Sequence, residues 1–218
     1  MRSNDHLETE PVDPRIRRTR ALIHEAFLKL LATKPFEEIS VQDLTELATL
    51  NRATFYAHFP DKYKLLECVA TVQFRALLDS RGVEFDGTRV SAVRALVLGV
   101  CDYLSVESNR VGTVDALNPH LQAAIVSVVR KKLRDGLECM EGWDSATSRD
   151  MAATSTAWAL YGAVREWFIR TERPPAEQVV DRIYNFLLPL LNPMNSMGLS
   201  QSSDALLDVV AVKTAKRR

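Results

Sequence analysis

Glycine and proline are scarce, eight and nine in 218 residues, too few for the turns of a sandwich or a barrel. No segment repeats at a fixed period. Cysteine is rarer still: Cys68, Cys101 and Cys139 are widely spaced, odd in number and free of any C-x-x-C pair. That pattern argues against a disulfide or zinc framework and suits buried thiols in a reducing cytoplasm. An excess of either charge sign is also lacking, with 28 basic and 28 acidic residues, so composition alone gives no vote for nucleic acid. The longest apolar runs, such as Ala95 to Cys101, fall far short of the roughly 18 residues of a membrane helix. The opening MRSNDHLETEPVDP has no apolar h-region and is expected to be a flexible leader, residues 1–13, rather than a secretory signal. No metal-ligand spacing, nucleophile elbow, phosphate-cradling glycine loop or pair of carboxylates on one face is found. Neither an enzyme nor a bound cofactor or metal is expected.

What is present is helical patterning. Ile16, Ile23, Ala26, Phe27, Leu30 and Leu31 share one face of a first helix, which Lys34-Pro35 ends. Ser40-Val-Gln-Asp43 has the form of a capping box, with Ile39 and Leu44 at the spacing of a hydrophobic staple. A second short helix is expected to start there. Asn51 repeats the device with Leu50 and Phe55, and a third helix runs to Phe59 before Pro60. The connection Thr49-Leu50 is too brief for antiparallel helices, so the two should cross steeply as a helix-turn-helix.

The charge is local. Arg15, Arg17, Arg18 and Arg20 form a basic arm, with nothing acidic before Glu25; a second cluster, Lys213, Lys216, Arg217 and Arg218, is read as a solvated tail. Arg52, Ala53 and Thr54 occupy the first turn of the third helix, the end that a helix-turn-helix presents to base edges. Arg52 suits guanine O6 and N7, and Ala53 and the Thr54 methyl suit a thymine methyl. Tyr56 and His58 carry polar tips within reach of phosphate, while Phe55 and Phe59 should face inward. Lys62 opens the fourth helix, where an ammonium beside free amides favours a phosphate oxygen.

The stretch Arg20 to Leu66, above all Asn51-Arg-Ala-Thr-Phe-Tyr-Ala-His-Phe-Pro-Asp-Lys62, resembles the DNA-binding domain of the TetR (tetracycline repressor) family. The resemblance implies base contacts from Gln42 and from Arg52 to Thr54, and phosphate contacts from Ser40, Tyr56, His58 and Lys62. Where the family usually has Gly-Val-Ser at the turn, this chain has Thr49-Leu50-Asn51. Threonine there carries a steric cost if the turn needs positive φ.

Downstream, Val93, Leu96, Val97, Val100, Cys101 and Leu104 make one apolar stripe, and Asn118-Pro119 opens a further one-faced helix from Leu121 to Met140. Met151 to Arg170 and Pro175 to Leu191 are apolar on two faces, so each needs cover from its own chain and from something else. A second subunit is the simplest cover, with Ala159, Gly162 and Ala163 permitting close approach and Ile183, Phe186, Leu187 and Leu190 completing the interface. The resemblance implies the same pairing and an internal effector site. Tyr103, His120, Trp158, Tyr161 and Arg165 are its candidate lining, as aromatic or polar residues on apolar helices.

The expected protein is therefore all-α, with a helix-turn-helix domain over 14–62, a helical effector-binding and dimerisation domain over 63–192, and a flexible tail over 193–218. It is expected to be a cytoplasmic homodimeric regulator and a repressor, binding a pseudo-palindromic operator and released or altered by a small effector. A helical adaptor that binds protein partners without reading DNA is the alternative.

Overall fold

The computed structural model describes residues 13–82, 89–109 and 118–193. Apart from Asp13 and Pro193, the expected leader and tail, including Lys213, Lys216, Arg217 and Arg218, lie outside the described residues. Eight α-helices and two 3₁₀ turns make up the described fold, without a strand among these residues.

Helix α1 (Pro14–Leu31) starts where the Asp13 carboxylate accepts from the Arg15 amide, with proline at the first helical position. A 3₁₀ turn at Phe36–Glu38 leads to α2 (Val41–Leu47), α3 (Arg52–His58) and α4 (Lys62–Ser80). Ile23, Phe27, Phe36, Ile39, Leu44, Phe55 and Leu65 form the core of this head, each at most 1% exposed. Burying each such side chain contributes roughly 1.5–3 kcal/mol. Ile16, expected on the core face, is 42% exposed.

The body comprises α5 (Arg89–Asn109), α6 (Pro119–Glu138), α7 (Ala146–Phe168) and α8 (Ala176–Leu187), closed by a 3₁₀ turn at Leu188–Leu191. Ser145 caps α7 by accepting from the Ser148 amide, so the helix begins about a turn before Met151, where the apolar pattern starts. Pro189 lacks an amide hydrogen, and the expected last helix tightens there into the 3₁₀ turn. Helix α6 packs on α4 and α7, and α5 packs on α4, α7 and α8. The α4–α5 crossing is close at Gly99, where a Cβ would sit 2.5 Å from Leu78 Cδ2.

Helix α4 belongs to both parts. Leu65, Leu66 and Val69 pack in the head, Phe74 and Leu78 continue into the body, and one apolar core runs from Ile23 to Leu191. The expected boundary between 62 and 63 lies in the first turn of α4, with no linker. Among the described residues no helix is long and apolar enough to cross a membrane.

Candidate nucleic-acid interface

Helix α2 begins with the anticipated capping box. The Asp43 amide donates to Ser40 Oγ at 3.1 Å, and the Ser40 amide donates to Asp43 Oδ2 at 2.7 Å. Ser40 Oγ also donates to that carboxylate at 2.7 Å, and Lys34 Nζ lies 2.8 Å from it. Lys34 first, then the Ser40 hydroxyl and amide, hold the Asp43 carboxyl well below the usual carboxylate range.

The turn ends α2 in a Schellman motif. The Thr49 amide donates to the Glu46 carbonyl at 3.2 Å and the Leu50 amide to the Thr45 carbonyl at 2.8 Å. Such a motif needs its first residue past the cap in the left-handed region, and Thr49 stands there at φ 55°. The steric cost foreseen for this threonine is present.

Helix α3 is capped by Asn51, whose Oδ1 accepts from the Thr54 amide at 2.7 Å and from Thr54 Oγ1 at 2.9 Å. Phe55 and Phe59 turn inward at 0% and 4% exposure, and Tyr56, edge-on to Phe55, stands 54% exposed on the other side. Arg52 and Ala53 are exposed on the same outer side and His58 is half-buried. Arg52 Nη2 donates to Gln42 Oε1 at 3.0 Å, and Gln42 Nε2 donates to Glu46 Oε1 at 2.8 Å. The two expected base readers are thus joined across the turn.

Residues 23–69 match the family described as bacterial regulatory proteins, tetR family. The head of this chain therefore matches the N-terminal domain of the TetR family. The chain is 35% identical over 69 residues to an uncharacterized HTH-type transcriptional regulator, YxbF of Bacillus subtilis (strain 168), a match covering 31% of this chain but 18% of that protein. It is 27% identical over 186 residues to the nucleoid occlusion factor SlmA of Alteromonas mediterranea, covering 76% of this chain and 93% of SlmA. The fold resembles that of RolR, solved with resorcinol, with a TM-score of 0.51 at 18% identity over 81% of this chain and 87% of RolR.

Within this TetR-family head, Lys62 is not placed as expected. Its ammonium donates to the carbonyls of Phe36, Glu37 and Ile39 at 3.1, 3.0 and 2.9 Å, and it sits 4.6 Å from the centre of the Phe36 ring. All three of its protons are engaged, so Lys62 ties the 3₁₀ turn to α4. The Lys64 amide in the first turn of α4 is also occupied, donating to Asp61 Oδ1 at 2.7 Å. Ser40, expected to donate to phosphate, gives its hydroxyl proton to Asp43.

Arg15, Arg17 and Arg18, the expected basic arm, lie exposed at the start of α1. No acidic residue occupies that first turn, so the cations oppose the helix dipole. Arg20 stacks its guanidinium 5.4 Å from the centre of the Phe59 ring. His24 Nε2 is buried without a hydrogen bond, and burial lowers its pKa.

The candidate effector residues divide. Tyr103 is buried edge-on to Phe74, and Tyr161 is buried in α7. His120, half-buried, stacks on Tyr63 of α4 at 4.8 Å and thereby joins head to body. Trp158 is 49% exposed and Arg165 is exposed on the outside of α7, so neither lines the interior of its own chain. The expected interface divides too. Ala159, Gly162, Phe186 and Leu190 are exposed and Ala163 is half-buried, whereas Ile183 and Leu187 are 4% and 1% exposed. Ile183 and Leu187 belong to the chain's own core, because α8 turns that face toward α5 and α7. A groove of about 210 Å³ lies elsewhere, between α4 and α6, lined by Arg75, Asp79, Val128, Lys131, Lys132 and Asp135.

Sequence reasoning missed Glu46 as Gln42's partner and Tyr63 as His120's. The i, i+4 spacing of Gln42 and Glu46 was the available signal for the first.

Proposed function

We propose that the chain represses transcription as a homodimer on a pseudo-palindromic operator and is released by a small effector bound inside the body, in the cytoplasm. The observation that carries the DNA-reading half is the outer side of α3. Arg52, Ala53 and Tyr56 are exposed together on a short helix anchored from behind by Phe55 and Phe59, which suits insertion into a major groove. Gln42, Arg52, Ala53 and Thr54 address bases, and Tyr56, His58, Arg15, Arg17 and Arg18 address the backbone, with Ser40 joining once its proton leaves Asp43. Exposed arginines at the wrong end of a helix for its dipole are consistent with phosphate as their partner.

The outer apolar faces of α7 and α8 support the dimer. Met151, Trp158, Ile169, Phe186 and Leu190 are 65%, 49%, 48%, 78% and 39% exposed, and Ala159 and Gly162 give the surface a small-residue centre. A two-fold pairing of these faces removes them from water and presents two α3 helices to successive half-sites. Residues 14–62 serve as the head and 63–192 as the effector and dimerisation body, with α4 shared.

An internal effector is supported by Thr156, whose hydroxyl is fully buried on α7 without a hydrogen-bond partner. Such a group is costly unless something pairs with it. Tyr103 and Tyr161 are the remaining candidate contacts, and RolR, which shares the fold, has been solved with resorcinol. Release requires the effector to favour one spacing of the heads over the other.

The test is fluorescence anisotropy on sites selected from random DNA, repeated across salt concentrations with unrelated DNA as control. Tight, selective, salt-dependent binding is expected. Failure to select any site would return the protein to the adaptor reading.

A further inference from the structure

We propose that Glu46, without touching DNA, sets the base preference of Arg52 by orienting the Gln42 amide between them. This rests on the reading of α3 as the base-reading helix. The three side chains form one directed chain across the turn: Arg52 Nη2 donates to Gln42 Oε1 at 3.0 Å, and Gln42 Nε2 donates to Glu46 Oε1 at 2.8 Å.

An amide has one accepting end and one donating end. Here one end meets a guanidinium and the other a carboxylate, so only one of its two flips satisfies both neighbours. The opposite flip sets N–H against N–H and oxygen against oxygen. Glu46 therefore selects the rotamer in which Gln42 accepts from Arg52. All three residues are exposed, where long side chains ordinarily sample many rotamers, and the chain of bonds restricts them before DNA arrives.

The consequence is for specificity. One guanidinium N–H is held by Gln42, and the remaining donors can address guanine O6 and N7 from a fixed direction. With its oxygen so engaged, Gln42 is withheld from the bidentate contact that glutamine makes to adenine and addresses a base only through its remaining N–H. Without Glu46 the amide is free to flip toward adenine, and Arg52 is free to swing to a phosphate, which carries no sequence information. The Glu46 carboxylate also faces an anionic partner, so its removal strengthens binding to any DNA. Discrimination and non-specific affinity should thus move in opposite directions, which a loss of folding would not produce.

The experiment uses the full chain, with sites selected from random DNA for wild type, E46A, E46Q, Q42A, R52A and the double variant E46A/Q42A. Anisotropy then compares the best site with its single-base variants and with unrelated DNA. R52A is expected to erase a guanine preference at one position. At that same position E46A should lower discrimination of guanine from adenine by about ten-fold, within the range of one bidentate base contact, while affinity for unrelated DNA rises. E46Q, which keeps an acceptor but loses the charge, should fall between E46A and wild type. Adding E46A to Q42A should change base preference no further. An E46A profile identical to wild type, where R52A alters it, would overturn the relay and leave the base-reading role of Arg52 standing. A joint fall in specific and non-specific binding for both E46A and E46Q would also overturn it, in favour of a merely structural Glu46. If R52A itself changes no position, the reading of α3 fails and the relay falls with it.

Discussion

Thr49 stands at φ 55°, at the position of a Schellman motif where glycine is the usual occupant, so Thr49→Gly should stabilise the protein. A left-handed conformation costs an L-residue roughly 1–2 kcal/mol, with a branched β-carbon near the upper end. Glycine removes that cost but adds about 0.5–1 kcal/mol of chain entropy to the unfolded state. The difference is a net gain of roughly 1–1.5 kcal/mol, or about 2–6 °C in Tm for a chain of this length. The side chain is exposed, so no packing is lost, and the two amide hydrogen bonds of the turn are main-chain and survive. Urea unfolding of the full chain followed by far-UV circular dichroism measures it, as a higher midpoint at unchanged slope. Thr49→Ala should gain less than Thr49→Gly. Thr49→Pro should lose about 3 kcal/mol or more, because its ring demands negative φ and the Thr49 amide donates to Glu46. A Thr49→Gly midpoint at or below wild type would refute the reasoning, since the strain would then be absent or offset by the hydroxyl.

Lys62→Met should cost about 1–3 kcal/mol by leaving three carbonyls without their charged donor, and should change affinity for non-specific DNA less than Tyr56→Ala; the reverse ranking would restore Lys62 as a phosphate ligand. Asp43→Asn should destabilise by roughly 1 kcal/mol at neutral pH through the broken capping box. Because the folded Asp43 pKa is depressed, its contribution is full above the unfolded value of 3.8 and is lost as pH falls below it, so the gap between variant and wild type should narrow in acid melts. His24 acts in the same direction nearer neutrality: its folded pKa lies below 6.5, and its contribution, present above that value, declines as pH drops through it. A neutral thiol reagent should label exposed Cys139 in the native protein, whereas Cys101, buried and pushed up to about 12, should react only on unfolding; equal rates by mass spectrometry would contradict the packing of α5. Gly162→Leu should abolish dimerisation without lowering protomer stability, because a Cβ at Gly162 meets nothing within 4 Å in its own chain; light scattering showing an intact dimer would rule out this face as the close contact.

Elements whose signals lie within about a turn of helix are written in the sequence. Ser40 with Asp43, Asn51 with Thr54 and Asn118 with Pro119 mark three helix starts through caps that reach two or three residues ahead, and the first two help to place the TetR-like head. The turn was legible in part: Thr49 stands where the resemblance puts a glycine, and the positive φ that makes it costly is seen only in the fold. What each side chain meets depends on packing between distant segments. Lys62 reads locally as a free cation at a helix start, and only the fold brings the carbonyls of Phe36, Glu37 and Ile39, more than twenty residues earlier, beneath its ammonium. On α8, Ile183 and Leu187 are as apolar as Phe186 and Leu190. Helical period separates the two faces, but the rotation that buries one and leaves the other open is set by α5 and α7. Trp158 and Tyr161, one helical turn apart in composition and context, were likewise separated by packing: one faces out beside Gly162 and the other faces in. Caps and turns are short-range chemistry, written in neighbouring residues, whereas the facing of a two-sided helix is a choice made by whatever packs against it.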